Sequence, residues 1–196
     1  MKRCGWAEKN ERERDYHDRE WGIPVTDDRL HFEMIILEGA QSGLSWATIL
    51  AKREGYRAAF ADFDPAKVAR FNEFRQVEIL DRAEIVRNRA KVASTVKNAQ
   101  AFLALQEEFG SFNRYIWRFT DYRPINNAWS ERAQVPAATP LSEEVSKDLK
   151  KRGFSFVGPT TIYSYLQAVG IVNDHLTDCF RYPAVLEAQE ALRFEF

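Results

Sequence analysis

His175 and Cys179 stand four residues apart, a spacing that on a helix puts both side chains on one face, within reach of a single metal ion. Cys4 and His17 would complete a Cys2His2 set, and these four include every cysteine in the chain. Such a closed nitrogen and sulfur shell suits a structural Zn2+ and leaves no open position for a reacting water. The competing possibility is plainer, because a lone cysteine is often a small buried hydrophobe and a lone histidine a satisfied core residue. A metal here ties the two ends of the chain together, and metal hydrolysis is then not the chemistry.

A second constellation lies between Trp6 and Trp46, where Tyr16, Trp21 and Phe32 surround one carboxylate, Glu38. Most aromatic residues are simply core. Yet a base flipped out of a duplex needs faces to stack on and a polar group to read its edge, and Trp, Tyr and one carboxylate supply both. Glu38 follows the apolar run Met34-Ile35-Ile36-Leu37, which tends to bury it. A buried carboxylate is costly unless paired, so it holds either a ligand or a structural hydrogen bond. Next comes Gly39-Ala40-Gln41-Ser42-Gly43-Leu44-Ser45-Trp46. Two glycines flanking a small polar turn that ends in leucine make a candidate wedge for opening base steps, or an ordinary helix connection.

The elements that must position these groups read as helices. Asp64-Pro65 is an N-cap with proline in the first turn, Val92, Val96, Ala99 and Leu103 recur at helical spacing, and Ser111 caps a segment carrying Tyr115, Ile116 and Phe119. The stretch from Asp121 to Pro140 reads as a long surface loop. A helix then runs from Ser142 as N-cap, with Glu143 and Glu144 in its first turn, to Lys150, Lys151 and Arg152, and stops at Gly153. After Gly153-Phe154-Ser155-Phe156-Val157-Gly158, a second helix opens at Pro159 and ends at Gly170. A glycine-bounded hairpin between two helices turns backbone N–H groups toward a phosphate, with basic residues nearby; a plain helix-helix connection is the alternative.

At 196 residues, with a formal net charge of −1 and pI ≈ 6.3, the chain is of globular composition, and any DNA contact must come from a local patch. The first residues, Met1-Lys2-Arg3-Cys4-Gly5-Trp6, form no apolar run, and no stretch of about eighteen apolar residues follows. A cytoplasmic protein with no membrane contact is therefore expected, where a structural disulfide would not persist.

These motifs resemble the bacterial DNA-3-methyladenine glycosylase I family of the helix-hairpin-helix glycosylases. The likeness rests on Arg3-Cys4-Gly5-Trp6, Tyr16-His17-Asp18-Arg19-Glu20-Trp21-Gly22, Leu37-Glu38-Gly39-Ala40 through Ser45-Trp46, Lys150-Lys151-Arg152-Gly153 through Gly158, and Val172-Asn173-Asp174-His175. It spans nearly the whole chain. The resemblance implies an all-α, two-lobed fold over residues 1–196 as a single unit, with a helix-hairpin-helix at about 142–170 and the base pocket between the lobes. It implies one structural Zn2+ on Cys4, His17, His175 and Cys179, and no organic cofactor. Glu38 becomes the catalytic, base-reading carboxylate, with Tyr16 and Trp46 stacking on the base and Trp6 and Trp21 shaping the pocket. Gln41, Gly43, Leu44, Lys151, Gly153 and Gly158 become DNA contacts. The implied partner is double-stranded DNA containing alkylated adenine, engaged by a monomer.

Two departures stand out. Many family members carry Asp-Pro and a tyrosine where this chain reads Asn10-Glu11-Arg12-Glu13-Arg14-Asp15, which affects one pocket-edge aromatic, and the common Gln-Ala-Gly reads Gln41-Ser42-Gly43. The wider helix-hairpin-helix group places a catalytic aspartate where Asn173 stands, and its bifunctional members place a lysine nucleophile where Thr160 stands. No lyase step is expected. Two other classes fit parts of the sequence: a non-catalytic zinc-stapled module docking on damaged DNA, separated by a base-release assay, and a hydrolase of free nucleosides, separated by comparing duplex DNA with free alkylated nucleoside.

Overall fold

The computed structural model describes residues 1–194. Ten α-helices run as α1 (Glu11–Arg19), α2 (Asp28–Gln41), α3 (Trp46–Ala59), α4 (Pro65–Val68), α5 (Glu73–Leu80), α6 (Arg89–Phe109), α7 (Phe112–Trp117), α8 (Pro140–Lys151), α9 (Pro159–Ala168) and α10 (Arg181–Ala191). A single parallel bridge joins β1 (Ile125–Asn126) to β2 (Val172–Asn173), in the register Ile125↔Val172. Among the described residues no helix is long and apolar enough to cross a membrane.

Every residue of α2 from His31 to Ala40 is buried. A helix with no polar face belongs at the centre of a core, and α2 packs against α3, α6, α7 and α9. Its start is fixed by Asp27, whose side chain accepts from the backbone N–H of Leu30 at 2.9 Å. Its polar residues are matched from neighbouring helices. Glu33 accepts from Arg53 Nε at 2.6 Å and Arg57 Nε at 3.1 Å, and Asp28 caps α7 through the N–H groups of Phe112 and Asn113 at 2.8 and 2.7 Å. Burial pushes His31 down to about 4. It stays a neutral core imidazole hydrogen-bonded to the hydroxyl of Tyr165 at 2.7 Å.

Several expected caps are present, at Asp64 before Pro65 and at Ser111 before α7. Val92, Val96 and Ala99 face the core from α6, with Phe102 rather than Leu103 continuing the stripe. Ser142 is not the N-cap of α8: the helix begins three residues earlier, with Thr139 as cap and Pro140 in the first turn. Ser142 instead completes a reciprocal capping box, its Oγ accepting from the Thr139 N–H at 2.9 Å while Thr139 Oγ1 accepts from the Ser142 N–H at 3.2 Å. The turn from α8 to α9 is pinned from α6, where the Asn98 side chain donates to the Ser155 carbonyl at 3.0 Å and accepts from its N–H at 2.8 Å. Beyond α9, Gly170 adopts φ +70°, and a Cβ there would lie 2.4 Å from the backbone of Ile23 and Pro24. Only glycine lets the end of α9 approach the segment joining α1 to α2.

The segment from Asp121 to Pro140 is more than a surface loop. The β1–β2 bridge, the Thr177 N–H donating to the Trp129 carbonyl at 2.8 Å, and Trp129 Nε1 donating to Asp174 at 2.8 Å fasten it to the chain after α9.

Candidate functional site

Cys4, His17, His175 and Cys179 are all buried, and one ligand atom from each lies within 4.8 Å of the others. The Cys4 Sγ to His175 Nδ1 separation is 3.7 Å, Cys179 Sγ to His17 Nε2 is 3.4 Å, and Cys179 Sγ to His175 Nδ1 is 3.6 Å. Tetrahedral ligation with Zn–S of about 2.3 Å and Zn–N of about 2.0 Å puts sulfur and nitrogen ligands roughly 3.5 Å apart. The donor set fits that ion. The other ring nitrogen of each histidine is also placed, with His17 Nδ1 on Asp18 Oδ1 at 2.8 Å and His175 Nε2 on the Trp21 carbonyl at 3.0 Å. Asp18 is itself held by Arg3 at 2.9 and 3.0 Å. These outer bonds fix both tautomers so that His17 Nε2 and His175 Nδ1 offer lone pairs inward. The Cys4 thiol beside it pulls Cys179 toward thiolate.

One expectation fails here. His175 and Cys179 do not share a helix; residues 174–180 form an irregular turn after β2. The bridge to β1 and the bond from the His175 N–H to Asn173 Oδ1 at 3.2 Å bend the chain before another helix begins. The turn still brings both ligands to one point.

Rings connect this cluster to a cleft. Trp21 packs edge-on against His175 with centroids 4.5 Å apart, Trp6 packs on His17 at 5.4 Å and on Trp21 at 5.1 Å, and Tyr16 meets Trp46 at 5.2 Å. Trp6, Trp21, Tyr16 and Trp46 line a cavity of about 380 Å³ together with Glu38 and Gln41. All five residues expected to form a base pocket are thus brought together. Glu13, from the stretch that departs from the family pattern, is buried in the same wall, its Oε2 accepting from Asn10 Nδ2 at 2.6 Å.

Three polar groups of this cavity lack protein partners. Among the described residues Glu38 makes no hydrogen bond, and the Tyr16 hydroxyl and Trp46 Nε1 are buried without one. Burial alone pushes Glu38 up to about 8, so the carboxyl is neutral until something compensates its charge.

The Gly43-Leu44 turn lies beside this cavity. Gly43 has φ +78° and open space around it, and Leu44 is 41% exposed. Gln41, Gly43 and Leu44 line an adjoining space of about 200 Å³ with Thr160, Thr161 and Ser164 of α9. No motif marks what holds this turn. Lys91 is buried on α6, and its Nζ donates to the carbonyls of Ala40 and Ser42, both at 2.7 Å. A cation on the last carbonyls of α2 stabilises that helix end.

Lys151 ends α8 and is exposed, and Gly153 and Gly158 belong to the α8–α9 connection. Arg152 is not available beside them, because it is bound to Glu108 at 2.6 Å and Asp148 at 2.7 Å over the rings of Phe109 and Tyr115. A third space of about 270 Å³ shares Trp6, Trp21, Arg132, Ser164 and Gln167 with the aromatic cavity and is lined as well by Asp174, Val135, Pro136 and Ala137.

The model of the methyladenine glycosylase family matches residues 6–182. The chain belongs to this family. It is 45% identical to DNA-3-methyladenine glycosylase 1 of Escherichia coli (strain K12) over 183 residues, 93% of this chain and 98% of that protein. A crystal structure of a 3-methyladenine DNA glycosylase I superposes with a TM-score of 0.90 at 46% identity, covering 93% of this chain and all of the other. The Staphylococcus aureus structure described as the structural basis of 3-methyladenine recognition also superposes at 0.90, with 35% identity, 93% of this chain and 97% of that one.

Proposed function

We propose that this protein is a monofunctional DNA base-excision glycosylase, hydrolysing the N-glycosidic bond of 3-methyladenine in alkylated duplex DNA and leaving an abasic site. One observation carries the reading above all. Glu38 is a buried residue with no protein hydrogen bond among the described residues, set among base-sized aromatic rings beside a hydroxyl and an indole N–H that are buried and unpartnered. Unpartnered polar groups converging on one cleft are what a site leaves open for a ligand to complete.

Alkylation at N3 makes the nucleotide a cation, so bond cleavage expels a neutral base and needs no general acid. Glu38 accepts hydrogen bonds from the adenine edge and, once ionised, balances the positive charge. Tyr16 and Trp46 stack on the base, while Trp6 and Trp21 close the pocket and favour a cation over a neutral purine. Leu44 enters the duplex where the nucleotide has left, with Gly43 and Gln41 against the strands, at an unstacking cost of a few kcal/mol per step. The α8–turn–α9 unit serves as the helix-hairpin-helix, with Lys151 and the backbone from Gly153 to Gly158 on the phosphates. Thr160 in place of a lysine leaves no amine for a Schiff base. Zn2+ on Cys4, His17, His175 and Cys179 would be structural, cross-linking the chain ends behind the pocket wall.

The test is chromatographic detection of bases released from methylated duplex DNA, with strand integrity followed in parallel. Released 3-methyladenine with intact strands, reduced about 100-fold or more in Glu38→Ala, is the expected result. A folded, metal-loaded protein that releases no base would leave the site as a binding module.

A further inference from the structure

The reaction needs a water to be aimed at the sugar, and the residue at the position where related enzymes carry an aspartate is Asn173, which is fully buried. Asp174, next to it, is no substitute. Its Oδ1 accepts from Asn127 Nδ2 at 2.7 Å and Trp129 Nε1 at 2.8 Å, while its Oδ2 accepts from the Tyr163 hydroxyl and from Gln167 Nε2 at 2.7 Å. Four donors occupy the roughly four acceptor sites of a carboxylate, so Asp174 has none left for a water.

What Asp174 does is orient Gln167. A carboxamide turned the other way would set its oxygen against a carboxylate, so the bond at 2.7 Å fixes Nε2 toward Asp174 and directs Oε1 elsewhere. Among the described residues no donor meets Oε1, and it is not one of the buried polar atoms lacking a partner. It is therefore open to the cleft. Gln167 lines both the aromatic cavity and the adjoining 270 Å³ space, and Ser164, three residues earlier on the same face of α9, lines these two and the space beside Leu44 as well.

We infer that Gln167, locked by Asp174 and assisted by Ser164, holds the water that attacks the sugar, with the 270 Å³ space as its reservoir. This rests on the glycosidic hydrolysis proposed above. The C1′–N9 bond breaks with its electron pair going to the base, which leaves as neutral 3-methyladenine. The water oxygen forms the new bond to C1′, and its surplus proton goes to solvent. Gln167 Oε1 accepts a hydrogen bond from this water but takes no proton, so Gln167 is a catalytic residue and Asp174 a positioning residue.

The experiment is single-turnover excision on methylated duplex DNA in water containing methanol, scoring both the rate and the ratio of methyl glycoside to abasic product. Gln167→Met keeps the length of the side chain and removes the acceptor. It should slow excision about 100-fold, of the order lost with a single aimed hydrogen bond, and raise the methanol share of product several-fold. Binding of free 3-methyladenine should stay within about twofold of wild type. Asp174→Asn should move rate and product ratio in the same direction by a smaller factor. An unchanged rate in Gln167→Met, or a slower rate with the wild-type product ratio, would overturn the assignment. Wild-type protein that releases no 3-methyladenine would fail the glycosylase proposal instead, a result separate from both.

Discussion

The Cys2His2 cluster and the aromatic cavity are neighbours, share Trp6 and Trp21 as a common wall, and treat their buried polar groups in opposite ways. Around Cys4, His17, His175 and Cys179 the spare nitrogens are matched, by Asp18 and by the Trp21 carbonyl, and even the backbone N–H of Leu176 donates to Cys4 Sγ at 3.4 Å. Around Glu38 the buried hydroxyl of Tyr16 and the indole of Trp46 are left open. A satisfied buried network specifies structure, whereas an unsatisfied one carries a standing cost that a ligand relieves. On the proposed function, the contrast separates the part that builds the pocket from the part that would read the base.

The contrast is broken most forcefully from the metal side. Structural zinc contributes on the order of 10 kcal/mol of apparent binding free energy to folding, so chelation or Cys179→Ser should lower the melting temperature by about 10 °C or more. Base release should disappear with it, as His17 and His175 no longer hold the indoles of Trp6 and Trp21. Full stability and activity in protein shown by elemental analysis to be metal-free would refute this.

The pocket side should respond to pH. Glu38 titrates near 8 when folded against an ordinary value of 4.5, so the native state holds an extra proton between these values. The stability this gives is complete below about pH 4.5 and is lost as pH rises through 8. Glu38→Gln removes that loss, and the melting temperature of the variant relative to wild type should climb from pH 6 to pH 9. Affinity of wild type for duplex DNA carrying a cationic alkylated purine should rise over the same interval and level off above 8, where Glu38 is ionised without the ligand. In Glu38→Gln this rise should be absent, and a parallel rise in both proteins would place the titrating group elsewhere.

A smaller effect belongs to the turn between the two helices that flank the pocket. Lys91→Met leaves the carbonyls of Ala40 and Ser42 without their donor, at a cost of about 1–3 kcal/mol. The melting temperature should fall by a few degrees, and affinity for duplex DNA should drop several-fold while free 3-methyladenine binds as before. Equal losses of both would show that the turn and the pocket are one unit.

Much of this division was legible in the sequence. Residue type and the four-residue spacing of His175 and Cys179 pointed to the metal set, and the apolar run before Glu38 pointed to its burial. The helical surroundings of these residues were less legible, because His175 and Cys179 meet through a turn set by the long-range β1–β2 pairing, which leaves no periodic trace. Lys91, Gln167 and Asp174 escaped notice for a related reason. Lys91 reaches Ala40, 51 residues away, Asp174 takes donors from Asn127 and Trp129 on another segment, and Gln167 is set by Asp174 beyond the end of its helix. A lone polar residue in a helical pattern carries no mark of such partners. The basic triplet of Lys150, Lys151 and Arg152 misled in the other direction, since charge in sequence says nothing of the acidic neighbours that bind Arg152.

The central claim is that the open polar groups of the aromatic cavity belong to the base and those of the metal cluster do not. The most direct measurement is the thermal stabilisation given by free 3-methyladenine to wild type and to Glu38→Gln at pH 8, with metal content verified in both. Saturating ligand at about 100 times the dissociation constant contributes roughly 2.7 kcal/mol, so wild type should shift upward by several degrees and Glu38→Gln by little or nothing at the same concentration. Equal shifts in the two proteins would contradict the account.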